Sequence, residues 1–317
     1  MKNKLAIGLA AIGVAAVMQG TALAEALKVA VVLPGVVTDK SFNENVYQGL
    51  TRARDELGVE IAYTEKVPQP SQVEVMSDYA RRGYDVVVGA GAEYTDAAKR
   101  VARQFPDIDV IVLNGAPTDG VATINYDNQQ FGYVLGLAAG HGSETGKIAA
   151  LSAQQVPAFE QVVEGYRAGF NAVRPDGEVL VAYTNDWADI AKAKEASLNV
   201  ISQGADVLLP YLDAGFLGVV QAAEERDVHV VGVVRDLSGE YPEVNLLSTV
   251  LDFGGALYQA VELAQNEAIE PRDYRFGIGT DAGYLGGFNA EASQEMRDAV
   301  AAAVEKMQAG ELDPSAE

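Results

Sequence analysis

The segment Gly58-Val59-Glu60-Ile61-Ala62-Tyr63-Thr64 has a counterpart later in the chain, Glu178-Val179-Leu180-Val181-Ala182-Tyr183-Thr184. Three more matches follow with offsets close to 120 residues: Gly83–Val88 with Gly204–Leu209, Asp109–Val112 with Val228–Val231, and Phe42 and Gly49 with Phe159 and Gly165. A period of this length is far too long for a solenoid. The repeat therefore indicates two copies of one lobe.

Short apolar runs alternate with longer amphipathic stretches along each copy. In the first copy, Lys28–Leu33 has the pattern of a buried strand, and Phe42–Leu57 has apolar residues at helical spacing. Further strands are predicted at Val59–Tyr63, Asp85–Val88 and Val110–Leu113. Val- and Ile-rich runs without polar alternation are typical of parallel strands buried on both faces. The sequence thus predicts an α/β protein with two doubly wound parallel-sheet lobes.

Ligands of open α/β sheets bind beyond the carboxyl ends of the strands, so a cleft is expected between the lobes. The chain is expected to cross between lobes three times, near Ile124-Asn125, Leu247–Val250 and Thr280–Leu285. Three crossings form a hinge on which the lobes close over a ligand. The predicted boundaries are 25–124 plus 250–282 for the N-terminal lobe and 125–249 plus 283–317 for the C-terminal lobe.

The first 24 residues have the three-part pattern of a secretory signal peptide. Lys2 and Lys4 precede an apolar stretch, Leu5–Met18, and Ala22-Leu23-Ala24 supplies small residues for cleavage. The alternative, a membrane anchor, is disfavoured because the apolar stretch is short. No Cys lies near the cleavage site, which argues against a lipoprotein. We expect a protein secreted to the periplasm and not anchored there.

Composition excludes several functional classes. The chain has no Cys, so disulfides, thiolate metal sites and Cys nucleophiles are impossible. The formal net charge is −22, which disfavours binding to nucleic acid or to an anionic membrane. His141 and His229 are the two histidines, one near a predicted helix end and one at the start of a predicted strand. With no metal-binding or nucleophile-elbow motif, we expect neither an enzyme, nor a metal site, nor a cofactor.

The segments expected to face the cleft contain aromatic rings and hydrogen-bonding side chains, the usual composition of a small-molecule site. The candidate ligand-binding residues are Asp39, Phe42, Asn43, Glu93, Tyr94, Trp187, Asp213, Asp236 and Asp252. Two interpretations of Phe42 fit its position, a ligand contact or a staple into the core. Asp39 and Ser41 also fit the role of helix N-caps. Trp187, in an otherwise polar loop, is favoured as a ligand contact.

The stretch Asp39-Lys40-Ser41-Phe42-Asn43, followed by Gly49-Leu50, resembles the basic membrane protein (BMP) family of ABC-transporter substrate-binding proteins. The resemblance covers the whole mature chain. It includes Tyr133-Val134-Leu135-Gly136, Val231-Gly232-Val233 with Asp236, and Leu247-Ser248-Thr249.

This resemblance implies a type I periplasmic-binding fold that delivers a purine nucleoside or nucleobase to an ABC permease in the inner membrane. In similar proteins the aromatic residue of the motif, here Phe42, stacks on the base. The residues matching Asp39 and Asn43 line the pocket, and the residue matching Asp236 helps to hold the ribose. Such a receptor is expected to act as a monomer.

Two positions differ from the family pattern. The nucleoside binders often have Asp-x-Gly after the first strand, where this chain has Leu33-Pro34-Gly35. They also have a Lys at the start of the helix where this chain has Asp252, which favours a ligand that donates hydrogen bonds there. The sequence therefore leaves open a free nucleobase, a modified nucleoside or another small polar ring.

Two other functions remain as alternatives. The same fold serves as a sensing receptor that reports ligand to a signalling partner, and genes for an ATPase and two permeases beside this one would favour import instead. A nucleoside hydrolase using paired carboxylates is the third alternative. Product formation during incubation with nucleoside would identify it.

Overall fold

A computed structural model describes residues 26–316, so the predicted signal peptide lies outside the described residues. Two six-stranded sheets form the centres of two lobes. The strands are β1 Lys28–Val32, β2 Glu60–Thr64, β3 Val86–Ala90, β4 Asp109–Leu113, β5 Ala122–Tyr126, β6 Lys147–Ser152, β7 Glu178–Tyr183, β8 Val207–Tyr211, β9 His229–Gly232, β10 Asn245–Leu251, β11 Asp273–Phe276 and β12 Gly283–Phe288. The helices are α1 Phe42–Leu57, α2 Gln72–Arg81, α3 Thr95–Gln104, α4 Asn128–Gly142, α5 Pro157–Val173, α6 Ile190–Ser202, α7 Phe216–Arg226, α8 Phe253–Gln265 and α9 Gln294–Gln308.

The two sheets have the same strand arrangement, as the repeat predicts. The first has the order β11-β5-β4-β3-β1-β2 and the second β12-β10-β9-β8-β6-β7. All strand pairs of the first sheet are parallel, and in the second only β12 runs antiparallel, beside β10. Helices cover both faces, which explains why strands such as β3 are buried along their whole length. The predicted α/β class and two-lobe architecture are confirmed.

The chain passes between the sheets three times. It leaves the first sheet after β5, returns to it between β10 and β11, and leaves again between β11 and β12. The three crossings follow Tyr126, lie between Leu251 and Asp273, and lie between Phe276 and Gly283, and together they form the hinge. They also concentrate β5, β10, β11 and β12 at one end of the paired sheets, which leaves β2 and β7 at the other end.

Close helix packing supports each lobe. In the first lobe, a Cβ on Gly49 of α1 would lie 2.1 Å from the carbonyl oxygen of Gly254 on α8. In the second, a Cβ on Gly132 of α4 would lie 2.1 Å from the carbonyl oxygen of Val162 on α5. Real Cβ contacts are not this short, so glycine is what allows these helix backbones to touch. Among residues 26–316, no helix is long and apolar enough to cross a membrane.

Candidate functional site

The candidate site lies between the loops that follow the carboxyl ends of the strands in both lobes. Direct contacts cross this cleft. Arg235 Nη1, in the loop after β9, donates a hydrogen bond of 2.6 Å to the carbonyl oxygen of Lys40, in the loop after β1. The side chain of Asn114, after β4, hydrogen-bonds the hydroxyl of Tyr211 at the end of β8. The two lobes are therefore in direct contact through these loops.

Backbone strain is concentrated in the cleft loops. Lys40, Asn114, Asn185 and Val234 all have positive φ, between 57° and 79°. For the β-branched Val234, with φ of 79°, this conformation is unusual and costs free energy. Lys40 and Val234 lie at or beside the interlobe hydrogen bond of Arg235.

Asp39 organises the first turn of α1. Its carboxylate accepts hydrogen bonds from the backbone N–H groups of Ser41 (2.9 Å), Asn43 (3.0 Å) and Glu44 (3.0 Å) and from the Asn43 amide (2.7 Å). Asp39 therefore caps the first turn of α1 from two residues before Ser41, which occupies the N-cap position. Ser41 makes no side-chain capping bond.

Asn43 is fully buried beneath this loop. Its amide oxygen accepts a hydrogen bond of 3.1 Å from the backbone N–H of Gly35, and its amide nitrogen donates to Asp39. Asn43 thus connects the chain after β1 to the start of α1. It shapes the pocket wall, and its hydrogen-bonding groups are already engaged.

Phe42 is half-buried at the start of α1. Its ring meets the ring of Phe253 edge to face, with centroids 4.9 Å apart. Phe253 in turn packs edge to face on Tyr126 at 4.8 Å. Phe42 is therefore joined to the hinge aromatics on one side, and the remaining exposed part of its ring is available to the cleft.

Aromatic side chains also line the second lobe. Trp187, half-buried in the loop after β7, lies 6.5 Å from the ring of Tyr211, and Phe159 lies 5.6 Å from the same ring. Burial raises the pKa of Tyr211 to about 12, with the hydrogen bond from Asn114 acting against the rise. Tyr211 remains a neutral phenol at physiological pH, so this wall of the cleft is apolar and uncharged.

Asp213, two residues beyond Tyr211, has the most perturbed carboxylate of the cleft. Loss of hydration raises its pKa to about 7, and the negative charges of Asp39 and Glu93 across the cleft add to the rise. Within residues 26–316, no cation and no hydrogen-bond donor is paired with it. A carboxylate held in this way gains most from a partner that brings N–H or O–H donors into the cleft.

Glu93 faces Asp213 from the first lobe. Its side chain keeps contact with solvent, yet crowding within the cleft removes enough hydration to raise the pKa of its carboxyl group. The adjacent Tyr94 is fully buried among the apolar side chains between the first sheet and helices α2 and α3. Tyr94 was expected to contact ligand, but its position is that of a core residue.

Asp236 and Asp252 are held by their own loops. Asp236 Oδ1 accepts hydrogen bonds from the backbone N–H groups of Ser238 (2.9 Å) and Gly287 (3.1 Å). Burial alone would raise the pKa of Asp236, but these bonds and one from Ser248 outweigh it and lower the pKa. Asp236 remains exposed at the cleft side of the second lobe.

Asp252 caps α8 through the N–H of Gly255 (2.8 Å), and its Oδ1 also accepts from the Asn45 amide (3.0 Å). The negative charge at this position therefore connects α1 and α8 at the hinge. The structure gives Asp252 a structural partner in the place where a ligand-binding role was expected.

Arg235 and Asn114 are the cleft residues that sequence reasoning did not single out. Asn114 directly follows β4 and Arg235 lies in the loop after β9, so both lie beyond the carboxyl ends of strands. Arg235 is held within the second lobe by Glu240 (2.8 Å) and lies 4.9 Å from the ring centre of Phe216. The sequence signal that could have identified Arg235 is its positive charge in a loop after a strand of a chain with a net charge of −22. Among the described residues, no group of three His, Asp or Glu side chains is arranged to hold a metal ion.

Comparison with known proteins identifies related sequences. The family profile described as ABC transporter substrate-binding protein PnrA-like matches residues 26–307. Transcriptional activator protein Med of Bacillus subtilis is 25% identical over 86% of both chains. Basic membrane protein A of Borreliella burgdorferi is 26% identical over 75% of this chain and 72% of its own. A purine-binding protein of Brucella abortus is 26% identical over 73% of this chain and 66% of its own.

Solved structures share the fold. A solute-binding protein of an ABC transporter from Aeropyrum pernix superposes with a TM-score of 0.82 at 18% identity, covering 91% of this chain and 94% of its own. A solute-binding protein from Conexibacter woesei superposes with a TM-score of 0.71 at 26% identity, covering 90% of this chain and 98% of its own. The two-lobe architecture is thus that of type I periplasmic solute-binding proteins.

Proposed function

Because the chain belongs to the Bmp family of ABC transporter substrate-binding proteins, we propose that it is the periplasmic receptor of an ABC importer and binds a purine nucleoside or nucleobase between its lobes. The observation that carries the proposal is the unpaired carboxylate of Asp213 beside a wall of aromatic rings. Rings stack on a flat heterocycle, and a carboxylate accepts hydrogen bonds from its N–H groups.

The ligand contacts that we propose are Phe42 from the first lobe and Trp187 from the second, with Asp213 and Glu93 as acceptors. Phe42 and Trp187 are both half-buried, so each retains surface that a ligand can cover. Asp236, exposed at the cleft side, is proposed to accept a hydrogen bond from a ribose hydroxyl. We assign Asp39, Asn43, Tyr94 and Asp252 to the walls and hinge, because their polar atoms or rings are engaged within the protein.

The name of one relative supports the purine assignment. The Brucella abortus protein is called a purine-binding protein. The acidic pair Asp213 and Glu93 favours ligands rich in hydrogen-bond donors, such as purines with an exocyclic amino group. Secretion to the periplasm, cleavage after Ala24, the predicted lobe boundaries and action as a monomer belong to the same proposal.

A thermal-shift screen of the mature chain, residues 25–317, tests this function. The protein is first unfolded and refolded to remove any ligand acquired during expression. Compounds in the panel are purine and pyrimidine nucleosides, free nucleobases, pentoses and hexoses. A ligand at 100 times its Kd stabilises the fold by about 2.7 kcal/mol, which gives a clear shift. Stabilisation by purines supports the proposal; stabilisation by sugars alone would refute the purine assignment while keeping the receptor role.

A further inference from the structure

Large apolar side chains at the surface are concentrated at one end of the molecule. Among residues 26–316, the exposed ones are Tyr63 (41% exposed), Val181 (39%), Tyr183 (42%), Ile190 (36%) and Tyr284 (40%). All but Tyr284 lie on the edge strands β2 and β7 or, for Ile190, at the first residue of α6 directly after β7. Exposed apolar groups that cluster in this way mark interaction sites more often than scattered ones do.

This end is the mouth of the cleft. The chain crossings use β5, β10, β11 and β12, so the hinge lies at the end of the sheets that carries these strands. Strands β2 and β7 are at the opposite end of their sheets, one in each lobe. Tyr63 and Tyr183 occupy matching positions of the internal repeat and lie at or near the carboxyl ends of their strands, on the cleft side.

Each tyrosine belongs to an aromatic pair anchored on the helix that follows the first strand of its sheet. The ring of Tyr63 lies 4.8 Å from that of Tyr47 on α1. The ring of Tyr183 lies 6.0 Å from that of Phe159 on α5. Pairing with a helix residue holds the rings in place while leaving one side uncovered, the property of an aromatic anchor at an interface.

A groove accompanies the pair in the second lobe. It has a volume of about 300 Å³ and is lined by Phe159, Glu160, Val163, Glu164, Val181 and Tyr183. Phe159, Val163 and Val181 contribute apolar side chains to its lining, and Glu160 and Glu164 give it negative charge. The chemistry therefore fits an apolar side chain flanked by Lys or Arg.

We propose that the Tyr63 edge and the Tyr183 edge together form the docking surface for the inner-membrane permease, which presents apolar side chains flanked by basic residues. This inference rests on the proposed importer function. Because the two edges belong to different lobes, their spacing changes as the lobes close, and a partner that spans both distinguishes the closed receptor from the open one. A second copy of this chain fits poorly, since each copy has a formal net charge of −22.

Site-specific photocrosslinking in cells that carry the native importer tests the surface. The photoreactive residue p-benzoylphenylalanine replaces Tyr63, Tyr183 or, as the matched control, Tyr284, which is equally exposed but lies on β12 at the hinge end. After irradiation, crosslinked products are isolated through a tag on the receptor and identified by mass spectrometry. We expect crosslinks to the permease from positions 63 and 183 and at least a severalfold lower yield from position 284.

Several results would overturn the proposal: no permease crosslink from positions 63 and 183, an equal yield from position 284, or crosslinks to a second copy or to a receptor other than a permease.

Uptake of tritiated adenosine separates this surface from the ligand site. Tyr63→Ser and Tyr183→Ser are each expected to reduce uptake about tenfold, with Tyr284→Ser near wild type. Their thermal shifts with adenosine stay at the wild-type value if the docking surface alone is affected. Absence of uptake and of any thermal shift in the wild-type protein would instead count against adenosine as the imported ligand.

Discussion

Replacing Asp213 by Asn tests the cleft electrostatics through their effect on stability. The pKa of Asp213 is about 7 in the folded protein, compared with an ordinary value of 3.8. A raised pKa means that the folded state holds a proton that the unfolded state has lost between these pH values. The free energy of unfolding contributed by this group is therefore fully present below pH ~4 and is lost as pH rises to ~7.

The magnitude follows from the size of the shift. A shift of about three pKa units corresponds to about 4 kcal/mol of unfavourable free energy when the carboxylate is forced to ionise in the folded protein. Opening of the lobes rehydrates the group, so this value is an upper limit. Asp213→Asn is expected to raise the free energy of unfolding at pH 8 by about 1 to 4 kcal/mol and to have little effect at pH 4.

Urea denaturation of the wild-type protein and of Asp213→Asn at pH 4, 6 and 8 measures this difference in the free energy of unfolding. Asp236→Asn is the matched control, because the pKa of Asp236 is lowered by its hydrogen bonds and the sign is reversed. Its stabilising contribution is present above the ordinary pKa and is lost in acid, so Asp236→Asn should destabilise the protein at pH 8. If Asp213→Asn has the same effect at pH 4 and pH 8, or is destabilising at pH 8, the cleft does not hold this carboxylate as described.

Three further perturbations test other parts of the site and fold. Trp187→Ala should weaken purine binding about 10- to 100-fold, since stacking contributes about 1–3 kcal/mol per base; unchanged affinity in calorimetry would remove Trp187 from the site. Arg235→Ala removes the interlobe hydrogen bond to Lys40, so small-angle scattering should show a larger radius of gyration without ligand, and ligand should dissociate several times faster. An unchanged radius and rate would mean that this contact does not hold the lobes together. Gly49→Ala places a methyl group against the Gly254 backbone and should lower the free energy of unfolding by about 1–3 kcal/mol or more in chemical denaturation; a neutral effect would contradict the close packing of the two helices.

The sequence predicted the fold closely because helix and strand periodicity is a local property. Helix α1 has the predicted bounds, and the predicted strand Lys28–Leu33 corresponds to β1, Lys28–Val32. The two-lobe arrangement followed from the repeat, since two similar units must each bury their own sheet. These features depend on residue spacing, which is visible in the sequence.

The roles of individual site residues depend on side-chain direction, which the sequence does not contain. Tyr94 ends the turn that leads into α3, in a loop that follows a strand as a cleft residue would, but its ring packs over Gly89, where a Cβ would lie 2.6 Å from the Tyr94 Cβ. Asp39 and Asp252 match polar positions of a pocket, yet their oxygens accept helix N–H groups. Local capping competes with ligand binding for the same side chains, and only the three-dimensional structure shows which one prevails.

Calorimetric titration of adenosine, guanosine, adenine and ribose into the refolded mature protein tests the central claim most directly. The account predicts saturable binding of at least one purine at a single site per chain, with weaker binding by Trp187→Ala and Asp213→Asn and no chemical change in the recovered ligand. Binding of none of the purines, equal affinity in both variants, or hydrolysis of the nucleoside would contradict a purine receptor with its ligand between the two lobes.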